Sequence, residues 1–73
     1  MNQQRHLNKI TAEDKNKILP FVIEEWRPTI DLAHWADMKE RNTAKVLKQL
    51  FDEGIIERMW DGYLGKYYWR RLT

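Results

Sequence analysis

The sequence predicts an α+β fold in which three helices are followed by a C-terminal β-hairpin. Three observations predict it. Apolar residues recur at helical spacing from Ile18 to Phe51. Gly54 then suits the left-handed position that ends a helix. Beyond it, residues 55–60 and 66–72 are rich in β-branched and aromatic side chains and flank Asp61-Gly62, a strong hairpin signal.

The chain has 73 residues, enough for one domain, read here as 11–73 behind a polar, flexible arm at 1–10. A domain this small buries only about 60% of its unfolded surface, so its core must be dense. There is no cysteine, hence no disulfide or thiolate metal site to brace it. Four tryptophans, three tyrosines and two phenylalanines supply the large apolar surfaces instead. No apolar run approaches the roughly 20 residues that cross a bilayer, and the start lacks a secretory h-region. The expectation is a soluble, cytoplasmic protein without a membrane partner.

Helix one is expected at about 12–26. Thr11 can cap it, Glu13 and Asp14 suit its positive end, and Ile18, Leu19, Val22, Ile23 and Trp26 follow its period. Pro20 cannot donate to the carbonyl of Asn16, so a kink or a later start is expected. Pro28 closes the segment. Thr29 or Asp31 can cap a short second helix with Leu32, Trp35 and Ala36 inward and the small Ala33 where the next helix crosses. Asp37-Met38-Lys39-Glu40 has a form related to a capping box, which places a turn there and a third helix over about 38–53. One continuous helix from Leu32 to Glu53 is the alternative, since no Gly or Pro interrupts the run.

The third helix has the clearest pattern. Thr43, Val46, Leu47, Leu50 and Phe51 share one face, with Arg41, Lys45 and Lys48 nearly opposite and Asn42 and Ala44 on the flanks. In the hairpin, a two-residue loop would set Glu57 across from Lys66, whereas Gly65 permits a longer tip.

Net charge is only +2, but its distribution is uneven. Lys39, Arg41, Lys45 and Lys48 stand against Glu40 alone, and Arg58, Lys66, Arg70 and Arg71 against Asp61. Clustered cations of this kind suit a polyanion, or serve as ordinary solvated faces. Catalysis has little to use. His6 and His34 lack zinc-ligand spacing, the Asp31–His34 pair is a common surface arrangement, and the three glycines form no phosphate-cradling loop. The chain is therefore read as a non-enzyme with no cofactor.

Double-stranded DNA is the better match, because an α-helix fits the major groove and base edges there carry a readable code. Arg41 could pair with guanine, Asn42 with adenine, and Ala44 could meet a thymine methyl. Lys39, Lys45, Lys48 and Gln49 suit phosphates or the groove wall, as do Arg58, Lys66, Arg70 and Arg71 on the hairpin, with Tyr63 at its tip. Trp60, Tyr67, Tyr68 and Trp69 are read first as core or cross-strand partners. If exposed, they would suit a protein interface or stacking on single strands.

Leu32-Ala33, Leu50, Gly54, Ile55-Ile56, Tyr68 and Leu72 stand where winged helix-turn-helix transcriptional regulators carry their common residues, and the chain resembles that family over about 15–72. In size it looks like the small pilus-operon regulators. The resemblance implies a recognition helix in the major groove and a hairpin wing on the backbone. It departs from the family at Asp37 and Lys39, where Gly and a Ser or Thr are usual, and at Pro20 within helix one. No helix is left over for dimerisation, so such a module acts alone, self-associates through another surface, or works beside a second DNA-binding protein. A protein-interaction module on the same fold, such as an accessory or inhibitor protein, is the alternative.

Overall fold

The computed structural model describes residues 10–72. The elements are α1 (Ala12–Ile18), a 3-10 turn (Leu19–Phe21), β1 (Arg27–Pro28), α2 (Thr29–Ala36), α3 (Glu40–Asp52), β2 (Ile56–Asp61) and β3 (Lys66–Arg71). The strands form one antiparallel sheet in the order β1-β3-β2. The architecture is thus α+β, three helices with a three-stranded antiparallel sheet. The arm expected at 1–10 lies outside the described residues except for Ile10, which packs against the core.

The start of α1 follows the expected capping chemistry. The Thr11 hydroxyl accepts from Asp14 N–H at 3.1 Å, and the Asp14 carboxylate accepts from Thr11 N–H at 3.2 Å. Its end corrects the expected span of 12–26. The α-helix stops at Ile18 and tightens into the 3-10 turn that contains Pro20, and the chain is extended by Val22. A proline that cannot donate to the preceding turn accounts for the early stop. Trp26 consequently lies outside the helix, beside the sheet. Residues 27–28 pair with Trp69 and Tyr68, a third strand that two residues of sequence do not announce.

Between α2 and α3 the chain turns, so the continuous helix is excluded. Asp37 adopts φ 57° and ψ 50°. Met38 N–H donates back to Ala33 C=O at 2.9 Å and Asp37 N–H to His34 C=O at 3.2 Å, the paired bonds of a left-handed helix end. The α3 N-cap is Lys39, without a side-chain bond, and the expected Asp37 capping box does not form. Neither Thr29 nor Asp31 caps α2; its N-cap is Pro28. The Thr29 hydroxyl instead accepts from the Trp69 indole N–H at 2.8 Å.

The core joins Ile18, Val22, Leu32, Ala36, Val46, Leu47, Leu50, Ile56 and Trp69. Fully burying an aliphatic side chain contributes roughly 1.5–3 kcal/mol, so this small cluster is the main stabilising term. Ala33 is buried as expected, but Trp35 is 42% exposed. Its ring lies 6.3 Å from Phe21 and under the Arg27 guanidinium at 4.5 Å. Because α2 is only eight residues long, its inward stripe is filled by Leu32, Ala33 and Ala36.

The hairpin takes the longer tip. Asp61 pairs with Lys66 and Glu57 with Arg70, which replaces the Glu57–Lys66 register of a two-residue loop. The Asp61 carboxylate accepts from the N–H groups of Tyr63 and Leu64 at 2.9 and 3.0 Å, and Gly65 N–H donates to Asp61 C=O at 2.7 Å. An aspartate that bonds the backbone ahead of it stabilises the wider turn locally. Among the described residues no helix is long and apolar enough to cross a membrane.

Candidate nucleic-acid interface

Helix α3 is oriented by what it buries. Thr43, Val46, Leu47 and Leu50 are buried on one side, with the Thr43 hydroxyl donating to Lys39 C=O at 2.9 Å. With those positions fixed, the 3.6-residue repeat turns Arg41, Lys45 and Lys48 to the opposite side. All three are exposed, as are Lys39 and Asn42, and Ala44 is half-buried. Among the described residues no strand covers this surface.

Its charge is graded along the helix. Lys48 pairs with Asp52 at 3.0 Å, and both side chains are more than half exposed. A pair of this kind is worth only about 0.3–0.5 kcal/mol and exchanges readily for another anion. Gln49 donates to Glu53 at 3.0 Å, and Lys15 of α1 reaches the same carboxylate at 2.6 Å. The bond from Gln49, then that from Lys15, holds the Glu53 carboxyl below its ordinary value. The C-terminal end of α3 is therefore balanced by its own acids. Toward its start, Lys39, Arg41 and Lys45 stand in sequence against Glu40 alone.

The hairpin divides its charges between two faces. Side chains alternate along a strand, and directly paired residues share a face. Ile56, Arg58, Trp60, Tyr67, Trp69 and Arg71 therefore form the side toward the helices, where Arg58 meets Phe51 of α3. Glu57, Met59, Lys66, Tyr68 and Arg70 form the other side. Arg70 donates to Glu57 at 2.5 Å and its guanidinium lies 4.4 Å from the Trp26 ring. Its expected place on a phosphate is corrected: it is engaged within the protein, on the sheet face turned away from α3. Arg58 is half-buried on the face toward α3. It lies over Phe51, Tyr67 and Trp69. Lys66 is exposed beside the tip, and Tyr63, 96% exposed, is the most outward aromatic.

The expected place of Arg71 on a phosphate is corrected too, and Arg27, outside the hairpin, is likewise engaged within the protein. Arg71 donates to Leu19 C=O at 2.6 Å and to Val22 C=O at 3.0 Å. Arg27 donates to Phe21 C=O at 3.2 Å. Their acceptors are backbone carbonyls of the turn where α1 breaks, the Leu19 carbonyl also accepting from Val22 N–H at 3.1 Å, and the sequence signal for them is Pro20.

Of the aromatic hairpin residues, Trp69 is buried, while Trp60 and Tyr67 are exposed and meet edge to face with centroids 4.8 Å apart. Asp31 and His34 are both exposed and make no bond to each other. Among the described residues no three His, Asp or Glu side chains come together as a metal site. Comparison of the chain with protein-family models, curated proteins and solved structures finds no match.

Proposed function

We propose that this chain is a winged helix-turn-helix protein of the cytoplasm that binds double-stranded DNA and regulates transcription. One observation carries the reading: α3 leaves Arg41 and Lys45 exposed on the side away from its buried Leu50, with Asn42 exposed on the flank. A rigid helix with a locked inner face and a cationic outer face is suited to the major groove. In that pose Arg41 takes guanine O6 and N7, Asn42 takes adenine, and Ala44 lies against a thymine methyl. Lys39, Lys45 and Lys48 approach phosphates. The hairpin is the wing, and it brings Lys66 and the outward Tyr63 to the flanking backbone.

Two of the hairpin's arginines are engaged inside the protein, so fewer of its charges are free for phosphates than its composition implies. With about 4–6 neutralised phosphates, affinity should fall with salt at a log–log slope of roughly −4 to −5. The test is the double variant Arg41→Ala/Lys45→Ala. Both side chains are exposed, so the variant should fold as the parent does while sequence-specific binding is lost. If the folded variant holds duplex as tightly as the parent, α3 is not the reading helix.

A second reading rests on a separate observation. Trp60, Tyr63, Leu64 and Tyr67 are all exposed on one hairpin, an apolar concentration that suits a protein partner. Backbone amide shifts separate the two. Changes over 39–49 and the hairpin tip on adding duplex favour DNA. Silence with duplex together with self-association through Trp60 favours the interaction module.

A further inference from the structure

Four arginines sit half-buried around the sheet, and three have acceptors. Arg27 and Arg71 donate to backbone carbonyls and Arg70 to Glu57. Arg58 has none: among the described residues its guanidinium makes no hydrogen bond or ion pair. It is held by three rings, 4.4 Å from the centre of Phe51, 4.5 Å from Tyr67 and 5.8 Å from Trp69. Aromatic rings attract the cation, but they offer no oxygen to its five N–H donors. None of its nitrogens is sealed from solvent. A fixed fork of donors thus reaches the surface at the corner between α3 and the hairpin.

We infer that Arg58 is a preformed seat for one backbone phosphate of bound DNA, an assignment that rests on the DNA-binding reading above. Phe51 belongs to the last turns of α3, and Lys48 stands one turn before it. A strand leaving the cationic side of α3 toward the hairpin passes this corner. There a phosphate would take two parallel N–H···O bonds from the guanidinium, with the Lys48 ammonium close by. The rings have already removed most of the side chain's freedom. The ordering cost that a loose surface arginine meets on binding is therefore reduced. Trp60, on the same sheet face and 56% exposed, would flank the seat against the sugar.

Arg58→Gln and Arg58→Lys, with Arg58→Met as a second charge-free variant that keeps apolar packing, test this against a mixed-sequence duplex of about 20 base pairs across a salt series. Urea midpoints establish that each protein is folded. A phosphate seat requires Arg58→Gln and Arg58→Met to lose about tenfold in affinity at low salt and to reduce the salt slope by about 0.9. Arg58→Lys should keep the slope and still lose affinity, because an ammonium lacks the fork. A purely structural arginine would change the urea midpoints and leave the slope of the folded proteins unaltered, which overturns the seat but not the DNA reading. Failure of the parent itself to bind duplex at low salt overturns the DNA reading and the seat with it.

Discussion

Asp37 and Gly54 occupy the same place at two successive helix ends. Each is the left-handed residue after its helix, with φ 57° and 79°. After each, the next N–H reaches back to the last full turn: Met38 to Ala33 at 2.9 Å and Ile55 to Leu50 at 3.0 Å. Glycine adopts this conformation without a Cβ penalty, whereas aspartate does so at some cost. We therefore predict opposite signs for reciprocal changes. Asp37→Gly should stabilise by up to about 1 kcal/mol, and Gly54→Ala should destabilise by about 1 kcal/mol. A Cβ at Gly54 would meet nothing within 4 Å, so the second cost is conformational and not a clash. Urea denaturation at constant m-value measures both. Equal and same-signed shifts would refute the argument.

The Trp69 side chain is 2% exposed and its single N–H donates to Thr29. Thr29→Val keeps the shape and removes the acceptor, leaving a buried donor without a partner. We predict a loss of roughly 1–3 kcal/mol. Thr29→Ser, which retains the oxygen, should recover part of it. If Val and Ser behave alike in thermal melts, the hydrogen bond contributes nothing of note.

Arg71 ties β3 to the break after α1, through Leu19 and Val22 carbonyls 52 and 49 residues away in sequence. Bonds from a charged donor contribute about 1.5–3 kcal/mol, so Arg71→Met should lower stability by about that much. Arg41→Ala, on the exposed side of α3, should stay within about 0.5 kcal/mol of the parent. Denaturant midpoints of the two variants should therefore separate clearly. Similar midpoints would contradict the division between internal and outward-facing arginines.

Glu53 links pH to the docking of α1 on α3. The Gln49 amide first, and the Lys15 ammonium second, favour its charged form and keep its carboxyl below the ordinary value of 4.5. A carboxyl lowered on folding stabilises the protein fully above its unfolded value, and that contribution is lost as pH falls through the lower folded value. We predict that the urea midpoint of the parent exceeds that of Glu53→Gln at neutral pH. The gap should close as acid is added below pH ~4.5. A gap that persists unchanged at pH ~2 would exclude this linkage.

The buried side of α3 is legible in the spacing of Thr43, Val46, Leu47 and Leu50, because a helix repeats its faces locally. Thr11 and Gly54 are legible for the same reason: their chemistry concerns the residues next to them. What the sequence does not display is long-range pairing. The hairpin register depends on whether Asp61 bonds its neighbours' N–H groups, and one carboxylate changes which residues face each other. β1 exists only because Trp69 and Tyr68 are there to pair with it. The arginines show the limit most plainly. Arg58 and Arg70 look alike as strand cations, yet alternation sends one to the rings beside α3 and the other to Glu57 on the far face. The cationic side of α3 was visible in the sequence, while the ring contacts of Arg58 needed the folded order of strands.

The sheet also has unequal borders. On one side it ends in β1, two residues of which Pro28 has no N–H to offer; on the other it ends in the six-residue β2. An added strand would therefore meet six residues of backbone along β2, but along β1 only two, one of them without a donor.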